Sequence, residues 1–174
     1  MKEVSLQVKI VGALACMFLA ILASIVFTNY RDQRIAIIAE VQNSAQALAD
    51  TVYNSMVYAM AVGDDKTVRG QMEGFGKSLK NTDVFVFGFD KLCTYASKQE
   101  KVGTDLTKEV KSGVLTVELD QLLRTGKSSG HGYEETIAGK EYLTVLRPMM
   151  NEDRCQHCHG ASRAVLGGLM VRQN

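Results

Sequence analysis

Apolar and polar positions change their spacing several times along the chain, and each change marks a new kind of element. From Ile10 to Thr28 there is no charged residue, a run of about nineteen, long enough as a helix to cross the hydrocarbon core of a bilayer. From Arg31 to Val62 neither proline nor glycine occurs. There Ile38, Val41, Ala45, Leu48, Val52, Ser55 and Ala59 recur at alternating spacings of three and four, the period of a long helix with a seam. That seam suits packing on the chain's own domain and pairing with a second copy equally well. Gly63 closes the helix. Asp64 or Asp65 caps the next one, in which Val68, Met72, Phe75 and Leu79 form an apolar stripe, weakened by Gly70, Gly74 and Gly76.

The period then shortens to that of strands. Val84 to Phe89 reads as a buried strand, Asp90-Lys91 as a tight turn, and Leu92 to Ser97 as the hairpin partner. After a Val102-Gly103-Thr104-Asp105 loop, Leu115, Leu119, Leu122 and Leu123 mark a short amphipathic helix that stops at Gly126. Tyr133 to Ile137 and Glu141 to Leu146 form a second hairpin around Ala138-Gly139-Lys140, and Ala164 to Val171 supplies a last strand. Antiparallel strands mixed with helices predict an α+β domain. The boundaries that follow are a short leading segment 1–9, a transmembrane helix 10–30, a long helix and second helix 31–80, and a sheet domain 81–174.

Beyond the apolar run, about 145 residues remain, enough for one domain with its own core. A net charge of +1 gives no electrostatic case for a nucleic-acid partner. Lys2 and Lys9 precede the apolar run, and Arg31 and Arg34 follow it, so the positive-inside balance does not orient it. A cleaved signal peptide is the alternative to an anchor. The run is long for one, and no small-residue cleavage site ends it cleanly.

Cys155-Gln156-His157-Cys158-His159 carries the most specific chemistry. C-x-x-C-H is the attachment sequence of c-type haem, and in a chain with four cysteines and three histidines it arises by chance on the order of once in several hundred such chains. In one helical turn, positions i, i+3 and i+4 share a face. Cys155 and Cys158 can therefore bond the two vinyl groups of one porphyrin while His159 ligates its iron. Rival readings lack their own requirements. Structural zinc wants four ligands, but the other cysteines are Cys16, inside the apolar run, and a lone Cys93. A thioredoxin-like pair wants a βαβ context. His157 reads as a spacer.

The order of elements, Met60-Ala61-Val62-Gly63-Asp64, Val102-Gly103-Thr104-Asp105, the run Gly139 to Met149 and the C-x-x-C-H motif before a final strand together resemble the periplasmic PAS-like, Cache-like c-type haem sensor domains of bacterial chemotaxis receptors and histidine kinases. The resemblance implies a five-stranded antiparallel sheet with flanking helices, one covalent haem c before the last strand, and dimers. It also places the haem domain in the periplasm, on a single-pass anchor in the inner (cytoplasmic) membrane. Receptors of that type continue into a second membrane helix and an output module, whereas this sequence stops at Asn174, as expected either of an excised sensory half or of a free-standing relative.

The group opposite His159 sets the chemistry. Met56, Met60, Met72, Met149, Met150, His131 and Cys93 are candidates. Met60 is preferred, since it lies one turn from Met56 beside the Gly63 bend, and the matching segment of the resembled sensors can approach the haem. Core packing is the ordinary role of such methionines. Arg147 could pair with a haem propionate or be a plain surface arginine, and Tyr142 and Phe87 could line the pocket. These residues predict a membrane-anchored redox or gas sensor with a diatomic gas as possible ligand and a signalling or redox protein as partner. The alternative is an anchored monohaem cytochrome carrying electrons between membrane complexes and soluble carriers. No nucleophile and base pair, second haem or ligand cluster points to an enzyme.

Overall fold

The structure is a computed structural model and describes residues 6–174. A first helix, α1 (Leu6–Ala61), runs through 56 residues. The chain divides after Val41, and Gln42–Asn174 form a compact unit of their own. From Ile10 to Thr28 α1 carries no charged residue, and none of its apolar window is buried against protein. It is a helix long and apolar enough to cross a membrane.

Within the second unit α1 buries Ala45, Ala49, Val52, Tyr53, Met56 and Ala59. Three of the expected seam residues, Ala45, Val52 and Ala59, lie on this buried face. Ser55 does not: it is exposed, and its hydroxyl donates to the Val52 carbonyl at 2.7 Å. The seam is thus rotated toward Ala49, Tyr53 and Met56, and it packs on the chain's own domain. Asp64 caps α2 (Asp65–Ser78) by accepting from the Thr67 N–H at 3.1 Å. Gly76, costly to a helix on propensity alone, is required where α2 passes over β2, because a Cβ there would collide with the Ser97 carbonyl oxygen.

Five strands follow: β1 (Thr82–Gly88), β2 (Cys93–Ala96), β3 (Tyr133–Ile137), β4 (Lys140–Met150) and β5 (Val165–Gln173). They form one antiparallel sheet in the order β2-β1-β5-β4-β3. The last strand is therefore central, paired with β1 on one side and β4 on the other. That pairing extends β4 past its expected end at Leu146, through Pro148, which faces Gly168, to Met150. It also carries β5 to Gln173. The short α3 (Leu106–Glu109) and α4 (Gly113–Thr125) complete the fold before β3.

The sheet is buried on both faces, which is why β1 reads as an unbroken apolar run. Val84 and Val86 join the core with α1 and α2. Phe85 and Phe87 alternate to the opposite face and pack with Leu115, Leu119 and Leu122 of α4. Each such fully buried side chain stabilises by about 1.5–3 kcal/mol. On the α4 side Glu135 is also buried. It accepts from the Lys111 and Ser112 N–H groups at 2.7 and 3.1 Å and from the Thr144 hydroxyl at 2.8 Å, and it pairs with Arg172 at 3.1 Å. Burial alone would raise its pKa, but these donors and the Arg172 charge outweigh that effect and hold the carboxyl below its ordinary value.

Candidate functional site

The segment between β4 and β5 is a tied loop that presents one helical turn. A register shift between Met149 and Met150 precedes the last β4–β5 pair, Met150 with Val165. The Asn151 N–H then donates to the Ala164 carbonyl at 2.9 Å. Its side-chain amide donates to the carbonyls of Gly160 and Arg163 at 2.7 and 2.8 Å, drawing the two ends of the loop together. Between them a 3-10 turn, Asp153–Cys155, leads into α5 (Gln156–His159). The Cys155 N–H bonds the Glu152 carbonyl at 2.7 Å, and the Gly160 N–H bonds that of Gln156 at 2.8 Å. Cys155, Cys158 and His159 therefore sit on one continuous turn.

Both thiols are free, Cys155 half-buried and Cys158 exposed. His159 is exposed, and its imidazole makes no hydrogen bond among the described residues. Phe89, in the β1–β2 turn, is 40% exposed and packs beneath the Arg163 guanidinium, whose carbon is 4.9 Å from the ring centroid. Met150 is 38% exposed at the end of β4. Two accessible thiols outside any disulfide, an uncommitted imidazole and adjacent apolar surface form a donor set that fits a covalently held porphyrin.

The C-terminal end of α1 lies at this same end of the sheet. Gln42 and Leu143 both border Gly132, Asp50 pairs with Arg147, and the Tyr53 hydroxyl donates to Glu152 at 3.4 Å. α1 thus advances in the same direction as β4, and Met56 and Met60 lie about one and two turns further on. Met56 and Met72 are fully buried in the α1–α2 core. Met150 lies on the other face, its thioether against Gly126 in the space that a Cβ would take. Met60 and Met149 are only partly buried, packed at the margin of the α1-side core. Of the candidate methionines outside the closed core, Met60 and Met149 are thus partly buried on the α1 side, and Met150 is exposed on the other.

The remaining candidates stand apart. His131 is exposed in the loop before β3, its N–H on the Ser129 hydroxyl at 3.3 Å. Cys93 is buried on the α4 side, its thiol donating to the Tyr95 carbonyl at 3.3 Å, and burial pushes its pKa up to about 11. Phe87 is sealed in the α4-side core. Tyr142 borders a polar cleft at the start of β4, away from the motif, where Lys98 pairs with Asp83 at 2.7 Å. Neither aromatic lines the motif loop.

Arg147 is engaged by the protein itself. Its guanidinium carbon lies 4.0 Å from the centroid of the Tyr53 ring, and it is ion-paired with Asp50. Glu152 accepts from Tyr53 and pairs with Arg154 at 2.5 Å. Burial, and then the charge of Glu152, raise the Tyr53 pKa and keep the phenol protonated as a donor. Asp50, Tyr53 and Glu152 carried no signal along the sequence beyond a lone aromatic on an alanine-rich helix face.

Residues 50–173, from this contact of α1 through the motif to the last strand, match the family model of the methyl-accepting chemotaxis sensory transducer, class 40H, sensor. That match and the apolar start of α1 fit a membrane-anchored protein. The chain belongs to this family of chemotaxis sensor domains, and its role is that of a sensor in signal transduction.

Proposed function

We propose that this sensor holds one c-type haem through Cys155, Cys158 and His159 and reads redox state or a diatomic gas on the periplasmic side of the inner membrane. The observation that carries the reading is the single exposed turn that presents both free thiols and the imidazole. Cys155 and Cys158 would hold the group by adding their S–H groups across its two vinyl groups, an attachment that needs no oxidant. Bound there, haem would supply a one-electron centre whose chemistry depends on the protein groups that hold it.

The chain's own residues do the rest. His159 would hold the iron through its exposed imidazole. Met60 would be the preferred second protein ligand, with Met149 the next candidate, both partly buried on the α1 side of the sheet. A thioether in that role would favour ferrous over ferric iron, being a soft donor. Arg147 neutralises carboxylates at the margin of the site. The exposed face of α1 is the surface for a second copy, and an output or redox protein is the partner. Membership of a sensor family favours this reading over an electron carrier.

The test is the visible and near-infrared spectrum of the full chain in both oxidation states, with and without nitric oxide, for wild type and Met60→Ala. A methionine-type band lost in the variant and displaced by nitric oxide in the wild type is the expected result. A permanently six-coordinate haem that binds no gas contradicts gas sensing, and an unchanged variant spectrum removes Met60 as ligand.

A further inference from the structure

We infer that Tyr53 and Glu152, braced by Asp50 and Arg147, form a polar clasp that links the C-x-x-C-H turn to α1, making them positioning residues that pass the state of the site to the long helix. This rests on the haem reading above and names how the site would be read out.

Glu152 occupies the junction. Its carbonyl oxygen accepts the Cys155 N–H at 2.7 Å, so it moves with the motif turn. Its carboxylate accepts the Tyr53 hydroxyl at 3.4 Å, so it touches α1. Tyr53 is 8% exposed and is held from its other side by the Arg147 guanidinium stacked on its ring. Asp50, one turn earlier on α1, pairs with that same guanidinium. Two residues of α1 therefore meet two residues of the β4–motif segment.

The clasp is built to be sensitive. A distance of 3.4 Å is long for an O–H···O bond, so a small shift of the motif turn either closes or breaks it. A bond to an ionised acceptor is worth more than a neutral one, and Arg154 at 2.5 Å keeps Glu152 paired and oriented. Elsewhere α1 packs through Ala45, Ala49 and Ala59 and through the larger Val52 and Met56, apolar contacts that lack the directionality of a hydrogen bond.

The experiment is hydrogen–deuterium exchange across residues 45–61 in the full haem-loaded chain in detergent, oxidised and reduced, for wild type, Tyr53→Phe, Glu152→Ala and Glu152→Gln. We expect protection in the wild type to differ between the two states by about tenfold, the equivalent of one hydrogen bond to a charged group. Tyr53→Phe, which preserves the ring, and Glu152→Ala abolish the difference with the haem spectrum intact. Glu152→Gln, which keeps an acceptor oxygen but loses the charge and the Arg154 pair, retains a reduced difference. A haem-bearing wild type with equal exchange in both states overturns the clasp alone, as does a Tyr53→Phe chain that keeps the full difference. A wild type without retained haem overturns the functional reading and the clasp with it.

Discussion

At Cys93 the thiol lies in the α4-side core and burial pushes its pKa up to about 11, so it stays protonated at neutral and mildly basic pH. The thiolate is the nucleophile. In haem-free protein at pH 8, iodoacetamide should modify the exposed Cys158 and leave Cys93 untouched, as read by peptide mass spectrometry; equal labelling would contradict its burial. Glu135 gives a second expectation. Its folded pKa lies below the ordinary 4.5, so its stabilising contribution is fully present above that value and is lost as pH falls through the lower folded value. Denaturant unfolding should show that decline in the wild type and a shallower one in Glu135→Gln. Glu135→Ala leaves Arg172 buried without its partner and should cost about 3–5 kcal/mol.

Among the elements, α1 shows most clearly what patterning reveals and what it conceals. Its end was legible, because from Arg31 onward a stretch without glycine or proline leaves no place to stop before Gly63, whereas the fusion of the two expected helices into one from Leu6 was not. Its buried face was legible only in part. On a helix rich in alanine and serine, stripes one residue apart are equally plausible, and only the approach of the sheet selected Ala49, Tyr53 and Met56 over Ser55. Ala49 is fully buried, so Ala49→Leu should destabilise by about 1–3 kcal/mol through overpacking, measured as a lower thermal midpoint. Ser55→Leu, on the exposed side, should leave that midpoint nearly unchanged. β1 was readable because both its faces are buried. The full length of β4 was not, since Pro148 normally argues against a strand interior and only the central position of β5 carries the pairing past it.

For the whole molecule, the sheet order, two cores and tied loop place the C-x-x-C-H turn beside the end of α1, in a chain whose family is that of chemotaxis sensors. Cys155, Cys158 and His159 were evident from their spacing because the motif is local. The clasp was not, because Asp50 and Arg147 are 97 positions apart and Tyr53 and Glu152 are 99 apart, and no local pattern joins them. Covalent haem is the claim on which redox sensing, the Met60 ligand and the coupling to α1 all depend. It is tested most directly by expressing the full chain with a c-type maturation system, denaturing it, extracting with acidified acetone and recording the pyridine haemochrome of the washed polypeptide beside a Cys155→Ala/Cys158→Ala variant. Haem retained by the wild type and lost from the variant is the predicted result; a colourless wild-type polypeptide would contradict the account.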